Sequence, residues 1–292
     1  MMASLSYSAR RILDVPRYIS KLMAYSQARK INSTSSTSAR SNTEYQVVSL
    51  KERPDLRASY NKLSVDSWPK FFELDPQEKV EDILFKDWSQ YQVAVLSKAG
   101  KLLGIGLSVP LFWDGSLHTL PSGWEAAKQK GIEDLVAGKT PTAITAFAIL
   151  VDKMVNNQGM SGMILQAMLN MTRSHGFHSL MSCARPILKV KYPLIPIEQY
   201  AYWTNAFGEP FDPWVRLHWR LGAKLVGVSP LSSTYQGTVS QWEKCTNMKF
   251  PASGQYIIND GLTPLIINRE QNFGTYYDPN VWMLFRTSSA TT

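Results

Sequence analysis

The sequence is poor in cysteine: Cys183 and Cys245 are the only two in 292 residues. Two thiols so far apart form neither a disulfide framework nor a C-x-x-C metal or redox motif, and Cys183, inside Leu180–Ala184, reads as an inert core thiol. Long apolar runs are also missing. None approaches the roughly 18 residues that span a bilayer, so no membrane insertion is expected. Acid is nearly absent from residues 1–43, where Asp14 stands against seven Arg and Lys residues, so that segment holds six of the eight net positive charges. The rest of the chain is close to neutral and shows no basic footprint for nucleic acid. His175 and His178 have no third ligand near them in sequence, and a metal site is not expected.

The basic segment also lacks the apolar core of a secretory signal. It is rich in Arg and Ser, with Ile12, Tyr18, Ile19 and Leu22 at amphipathic spacing. This is the composition of a transit peptide, and the expected location is mitochondrial; the alternatives are a plastid transit peptide and a disordered basic tail on a cytoplasmic protein. Residues 1–43 are therefore set apart as an N-terminal extension, 44–286 as a single domain and 287–292 as a tail. With 44% hydrophobic and 11% aromatic residues, the domain can bury a full core.

What is present is concentrated between Thr142 and Leu180. Ala146–Val151 is an apolar run of strand length, and Asn156-Asn157-Gln158-Gly159 is a polar turn. From Ser161 onward Ile164, Leu165, Met168 and Met171 recur at spacings of three and four, and Gly176 follows as a helix C-cap. A helix whose first turn is rich in Gly and Ser leaves backbone N–H groups unpaired at its positive dipole end, an arrangement suited to phosphate or pyrophosphate. The Walker spacing is absent, and Gly159-Met160-Ser161-Gly162 lacks the third glycine of a dinucleotide fingerprint. On the turn alone, an ordinary strand-to-helix connection is the favoured reading.

Leu150-Val151, a four-residue linker and Asn156 through Gly162 resemble motif A of the GNAT acetyltransferase superfamily, Arg/Gln-x-x-Gly-x-Gly/Ala. Asn156 replaces the usual Arg, and Ser161 the usual Gly or Ala. Downstream, Leu217–Val226, with His218 and Gly222, is similar to motif B, commonly Tyr-x-x-x-Gly-Phe. Between about Trp68 and Trp282 the chain also resembles uncharacterised bacterial GNAT-like proteins, through Trp113-Asp114-Gly115, Ser122-Gly123-Trp124, Lys189–Leu194 and Phe211-Asp212-Pro213-Trp214. The resemblance implies an α/β (α+β) fold: a mixed central sheet with helices on both faces and a splayed parallel strand pair. It implies acetyl-CoA or another acyl-CoA as co-substrate, with Leu150 and Val151 along the pantetheine arm. Asn156, Asn157, Gln158, Gly159, Met160, Ser161 and Gly162 would lie around the pyrophosphate.

The other elements fit that order. Tyr45–Leu50, Tyr91–Ser97 and Leu102–Leu111 read as strands, with helices over 54–66 and 76–86 and a Gly100 hairpin turn. An insertion over 112–140 holds a helix near 123–137, with Trp124, Ile132, Leu135 and Val136 expected on one side. Ser179–Ala184 is the next parallel strand, and the Pro- and Tyr-rich stretch 185–211 is an ordered loop with a short helix at Ile197–Trp203. Pro213–Leu221 reads as helix and Ala223–Val228 as strand. Beyond, short strands alternate with a helix near Val239–Thr246, and Tyr276-Tyr277 and Val281–Phe285 close the sheet.

For acyl transfer to an amine, the amine must lose a proton, the oxyanion needs donors and the departing thiolate takes a proton. A bulge at Leu150 and Val151 would supply the amides. Asp114, Glu198 and Asp212 are candidate bases, with Glu198 preferred. His218, aligned through Gly222 with the tyrosine of motif B, is the candidate acid. The expected function is an N-acyltransferase with a small-molecule amine acceptor; the alternative is a non-catalytic module that binds CoA or a small ligand.

Overall fold

The computed structural model describes residues 45–65, 67–74, 78–155 and 159–287. The extension 1–43, and Asn156, Asn157 and Gln158 of the expected phosphate loop, lie outside the described residues. The nine described strands are β1 (Tyr45–Ser49), β2 (Val93–Ser97), β3 (Leu102–Leu111), β4 (Ala143–Val151), β5 (Ser179–Ala184), β6 (Lys224–Thr238), β7 (Gly254–Tyr256), β8 (Leu265–Asn268) and β9 (Phe273–Arg286). They form one sheet in the order β1-β2-β3-β4-β5-β9-β8-β7, with β6 on the other edge of β9. Among the described strands β4 and β5 are the parallel pair, and the other pairings are antiparallel.

Alternation along each strand divides the core between two faces. Val93 and Val95 face α4 (Met160–Ser174), which closes that side with Ile164, Leu165, Met168 and Met171. The two short helices α5 (Ile197–Tyr200) and α6 (Pro213–Arg220) join the same layer through Ile197, Tyr200 and Val215. Ala94 and Leu96 face the opposite way, against Tyr60 of α1 (Arg57–Ser64) and Val80 and Leu84 of α2 (Glu78–Phe85). A third aromatic core lies under α7 (Val239–Thr246), where Phe71, Tyr235, Trp242 and Tyr276 meet. Thr238 and Gln241 close a reciprocal capping box at the start of α7. No helix of the described residues is long and apolar enough to cross a membrane.

The helix of the insertion, α3 (Trp124–Val136), differs from expectation. Its buried residues are Ala127, Lys128, Gly131 and Asp134, whereas Leu135 and Val136 are exposed. The helix lies so close to β3 that a Cβ on Gly131 would stand 2.9 Å from the carbonyl oxygen of Pro110. Ala127 and Gly131 therefore form the closest contact with β3; Trp124 and Ile132 pack against the core as expected, and Leu135 and Val136 do not. Buried Asp134 is satisfied by the backbone N–H of Phe112 at 2.9 Å and by Lys130 and Lys139.

The two strands expected at Tyr276-Tyr277 and Val281–Phe285 are one strand, β9, containing Pro279. Its partner β6 contains Pro230, and the register shift between Ser229 and Ser233 accommodates both prolines.

Candidate active site

β4 and β5 pair only from Ala143↔Ser179 to Ala146↔Ser182 and then separate. The cause lies on the other edge of β4. Leu107 and Ser108 of β3 pair with Ala148 and Ala146, so Phe147 is an extra residue that bends the strand. Trp124 holds this bulge: its indole N–H donates to the Phe147 carbonyl at 3.0 Å and its ring lies 4.6 Å from that of Phe147. The expected bulge at Leu150 and Val151 is thus three residues too late. Leu150 instead packs in the core against α1 and α2, and Val151 is half-buried against the α4 side.

Past Ala146 the β5-facing edge of β4 has no strand partner. The gap opens into a cleft of about 350 Å³, whose walls include Ala146–Ile149, Ser161, Ser182, Cys183, Arg185, Trp214, Asp278 and Asn280. Gly159 caps α4 at the edge of this region with φ of 77°, and a Cβ there would meet nothing within 4 Å. Glycine is required there by backbone conformation rather than by crowding. Ser161 and Gly162 follow in the first turn, with Ser161 on the cleft wall. Met160, expected in the phosphate loop, points its side chain into the core.

The expected bases are placed elsewhere. Glu198 is exposed on α5 and is not among the residues lining the cleft. Asp114 is exposed in its own turn, accepting from the backbone N–H of Ser116 and the hydroxyl of Thr119. Asp212 is buried, but one of its oxygens caps α6 through the N–H groups of Trp214 and Val215, and the other accepts from Leu188 N–H and the Tyr200 hydroxyl. With both oxygens engaged, it holds the fold in place.

His218, on α6, is fully buried. Its Nδ1 lies 2.9 Å from the carbonyl oxygen of Trp214, and its Nε2 lies 2.9 Å from Ser182 Oγ. A carbonyl only accepts, so Nδ1 carries the hydrogen and Nε2 accepts from the Ser182 hydroxyl. Burial lowers the imidazole pKa to about 4, only partly offset by the Trp214 carbonyl. The ring is therefore neutral near pH 7. Arg216 and Arg220, the basic neighbours of His218 in sequence, are occupied elsewhere: Arg216 donates to the carbonyls of Pro210 and Phe211, and Arg220 pairs with Glu209. The polar atom at the cleft wall is the Ser182 hydroxyl, with neutral His218 as its acceptor.

Sequence reasoning missed Ser182, one of two serines in the otherwise apolar strand Ser179–Ala184, and no local pattern marks it. It also missed Asp278, which accepts twice from Arg185 Nε at 3.0 Å and once from the Tyr276 hydroxyl at 2.7 Å. Asn280 donates through Nδ2 to the Cys183 carbonyl, leaving Oδ1 without a partner among the described residues. Cys183 is buried, and its thiol pKa is pushed up to about 12, chiefly by that burial. It is no nucleophile near pH 7.

No family model matches the chain. An arginine N-acetyltransferase of Aspergillus versicolor is 28% identical over 252 residues, covering 74% of this chain and 84% of that protein. Among solved structures, the loading GNATL domain of CurA from Lyngbya majuscula superposes with a TM-score of 0.53 at 15% identity, covering 83% of this chain and 98% of that one. The chain has the fold of the GNAT acetyltransferases. A second GNAT neighbour, the GphF GNAT-like decarboxylase solved with isobutyryl-CoA, superposes with a TM-score of 0.52 at 14% identity, over 84% of this chain and 99% of that one. These two likenesses establish the GNAT fold; the chemistry has to be read from the site.

Proposed function

We propose that the protein is an acyl-CoA-dependent N-acyltransferase that acts on a small-molecule amine, with acetyl as the acyl group. The observation that carries this reading is the Ser182–His218 pair at the point where β4 and β5 part. Transfer of an acyl group to an amine makes a C–N bond and breaks a C–S bond, and one proton must pass from nitrogen to sulfur. The Ser182 hydroxyl stands in the cleft wall with His218 Nε2 as its acceptor, so the pair can take the amine proton and return it to the thiolate. The neutral ring is suited to accepting first and donating second. Backbone N–H groups on the unpaired edge of β4 are the available donors to the oxyanion.

The cleft also suits the co-substrate. A strand pair that opens beside the N-terminus of the 15-residue helix α4 gives an extended thiol arm strand edges to lie along. It gives a pyrophosphate the unpaired N–H groups of the first turn, around Gly159, Ser161 and Gly162. The acetyl group and the amine acceptor are supported by the Aspergillus relative, named for arginine N-acetylation. The test is to follow thiol release from acetyl-CoA across a panel of primary amines, alongside calorimetric binding of acetyl-CoA. Amine-dependent release is the expected result. Binding without release from any amine would identify a non-catalytic module, and absence of binding would remove acyl-CoA altogether.

A further inference from the structure

A second cavity, of about 300 Å³, adjoins the cleft and shares with it the walls made by Trp68, Phe72, Trp124, Phe147 and Tyr235. It differs in character, because Glu73 and Glu81 line it and do not line the first cleft. Glu81 is half-buried, and one of its oxygens accepts from the Tyr60 hydroxyl at 2.7 Å. Burial, and then this bond, raise the Tyr60 pKa, so the phenol keeps its proton and anchors the carboxylate. Neither Glu73 nor Glu81 forms an ion pair with a described residue. The nearby Arg57 is paired with Asp82 at 2.6 Å.

The walls between the carboxylates and the cleft are flat and aromatic. Phe72 stacks on Tyr235 at 4.7 Å and on Trp68 at 5.6 Å. The guanidinium of Arg185 already lies 5.7 Å from the centre of the Phe72 ring, so this surface accommodates a planar cation. Two carboxylates that form no ion pair among the described residues, in a cavity also lined by Trp68, Phe72 and Tyr235, complement a positive group, and a neutral or anionic group there would leave their charge unmatched.

We propose that this cavity holds the far end of the acceptor and that this end is a second cation, a guanidinium or ammonium group. The acceptor is then a diamine or an aminoalkylguanidine, with its reacting amine beside Phe147 and Ser182 and its other end between Glu73 and Glu81. The proposal rests on the acyltransferase reading for the identity of the reacting end. The cavity's preference for a cation stands separately.

Agmatine and hexylamine, similar in length, differ in whether the far end is charged. On the full chain, with acetyl-CoA saturating, kcat/KM for agmatine should exceed that for hexylamine by about 100-fold, as expected for a charge-assisted pair of hydrogen bonds. In Glu73→Gln and in Glu81→Gln that ratio should fall by about tenfold or more. The exposed position of Glu73 keeps at least one of these variants folded. Equal turnover of the two amines, or a ratio untouched in a folded Glu73→Gln, would overturn the proposal and leave the acyltransferase reading intact. Calorimetry of agmatine without acetyl-CoA separates the two claims. Agmatine binding that Glu73→Gln weakens, with no amine acylated, would uphold the cation site and remove the acyltransferase reading; no agmatine binding would overturn the cation site.

Discussion

Ser182 of β5, with His218 of α6 behind it, and Arg185 just after β5 reach the same cleft, and the two ionisable groups, His218 and Arg185, are held in opposite states of charge. Among the described residues His218 has no counter-charge, its hydrogen bonds going to Ser182 and a backbone carbonyl, and burial leaves it neutral with a pKa of about 4. Arg185 is also depressed by burial, but Asp278 beside it more than offsets that effect and holds its pKa above the ordinary value. Desolvation acts on both, and the presence or absence of a fixed opposite charge decides the outcome. The consequence is functional: a neutral hydroxyl–imidazole pair can pass a proton in either direction, whereas an ion pair this well matched holds its proton and joins strands. Arg185 and Asp278 secure the start of the loop after β5 to β9, and the Arg185 guanidinium also donates to the Asp260 carbonyl at 2.6 Å.

Breaking the charged cluster should have the larger effect. Asp278→Ala leaves Arg185 without its counter-charge and Tyr276 without its acceptor, and should cost about 3 to 5 kcal/mol in chemical denaturation. A loss below about 1 kcal/mol would show that the pair is dispensable. The neutral cluster should instead declare itself through pH. Because the folded-state pKa of His218 is depressed from about 6.5 to about 4, the unfolded chain binds the extra proton between those values. Its contribution is therefore complete above pH 6.5 and is lost as pH falls, by about 2 kcal/mol at pH 5. His218→Gln should remove that component, so stability between pH 7.5 and pH 5 should decline less steeply than in the wild type. Parallel pH profiles for the two proteins would mean that the ring is not buried and neutral as described.

Much of the fold was legible because local pattern and tertiary placement agree. Ser179–Ala184 and Leu102–Leu111 coincide with their expected bounds, and α7 follows its capping residues. The stripe Ile164, Leu165, Met168 and Met171 lies in the core. Legibility failed where the decisive contact is remote in sequence. The apolar run Ala143–Val151 carries no mark of register, so a bulge set by Trp124 and β3 could not be placed at Phe147. On α3 the close approach of β3 puts Gly131 at the contact, and hydrophobic spacing placed Trp124 and Ile132 correctly but not Leu135 and Val136. Glu198, Asp114 and Asp212 looked like bases because they are carboxylates near the right segments, yet two of them face solvent and the third caps a helix. Ser182 acquires its acceptor from a residue 36 positions away.

The account depends most directly on Ser182. Thiol release from acetyl-CoA in the presence of an accepted amine should fall by about 100-fold or more in Ser182→Ala, while calorimetric affinity for acetyl-CoA stays within about twofold of the wild type, because the hydroxyl acts on the moving proton rather than on binding. A folded Ser182→Ala protein that turns over at the wild-type rate would contradict the assignment of proton transfer to the Ser182–His218 pair.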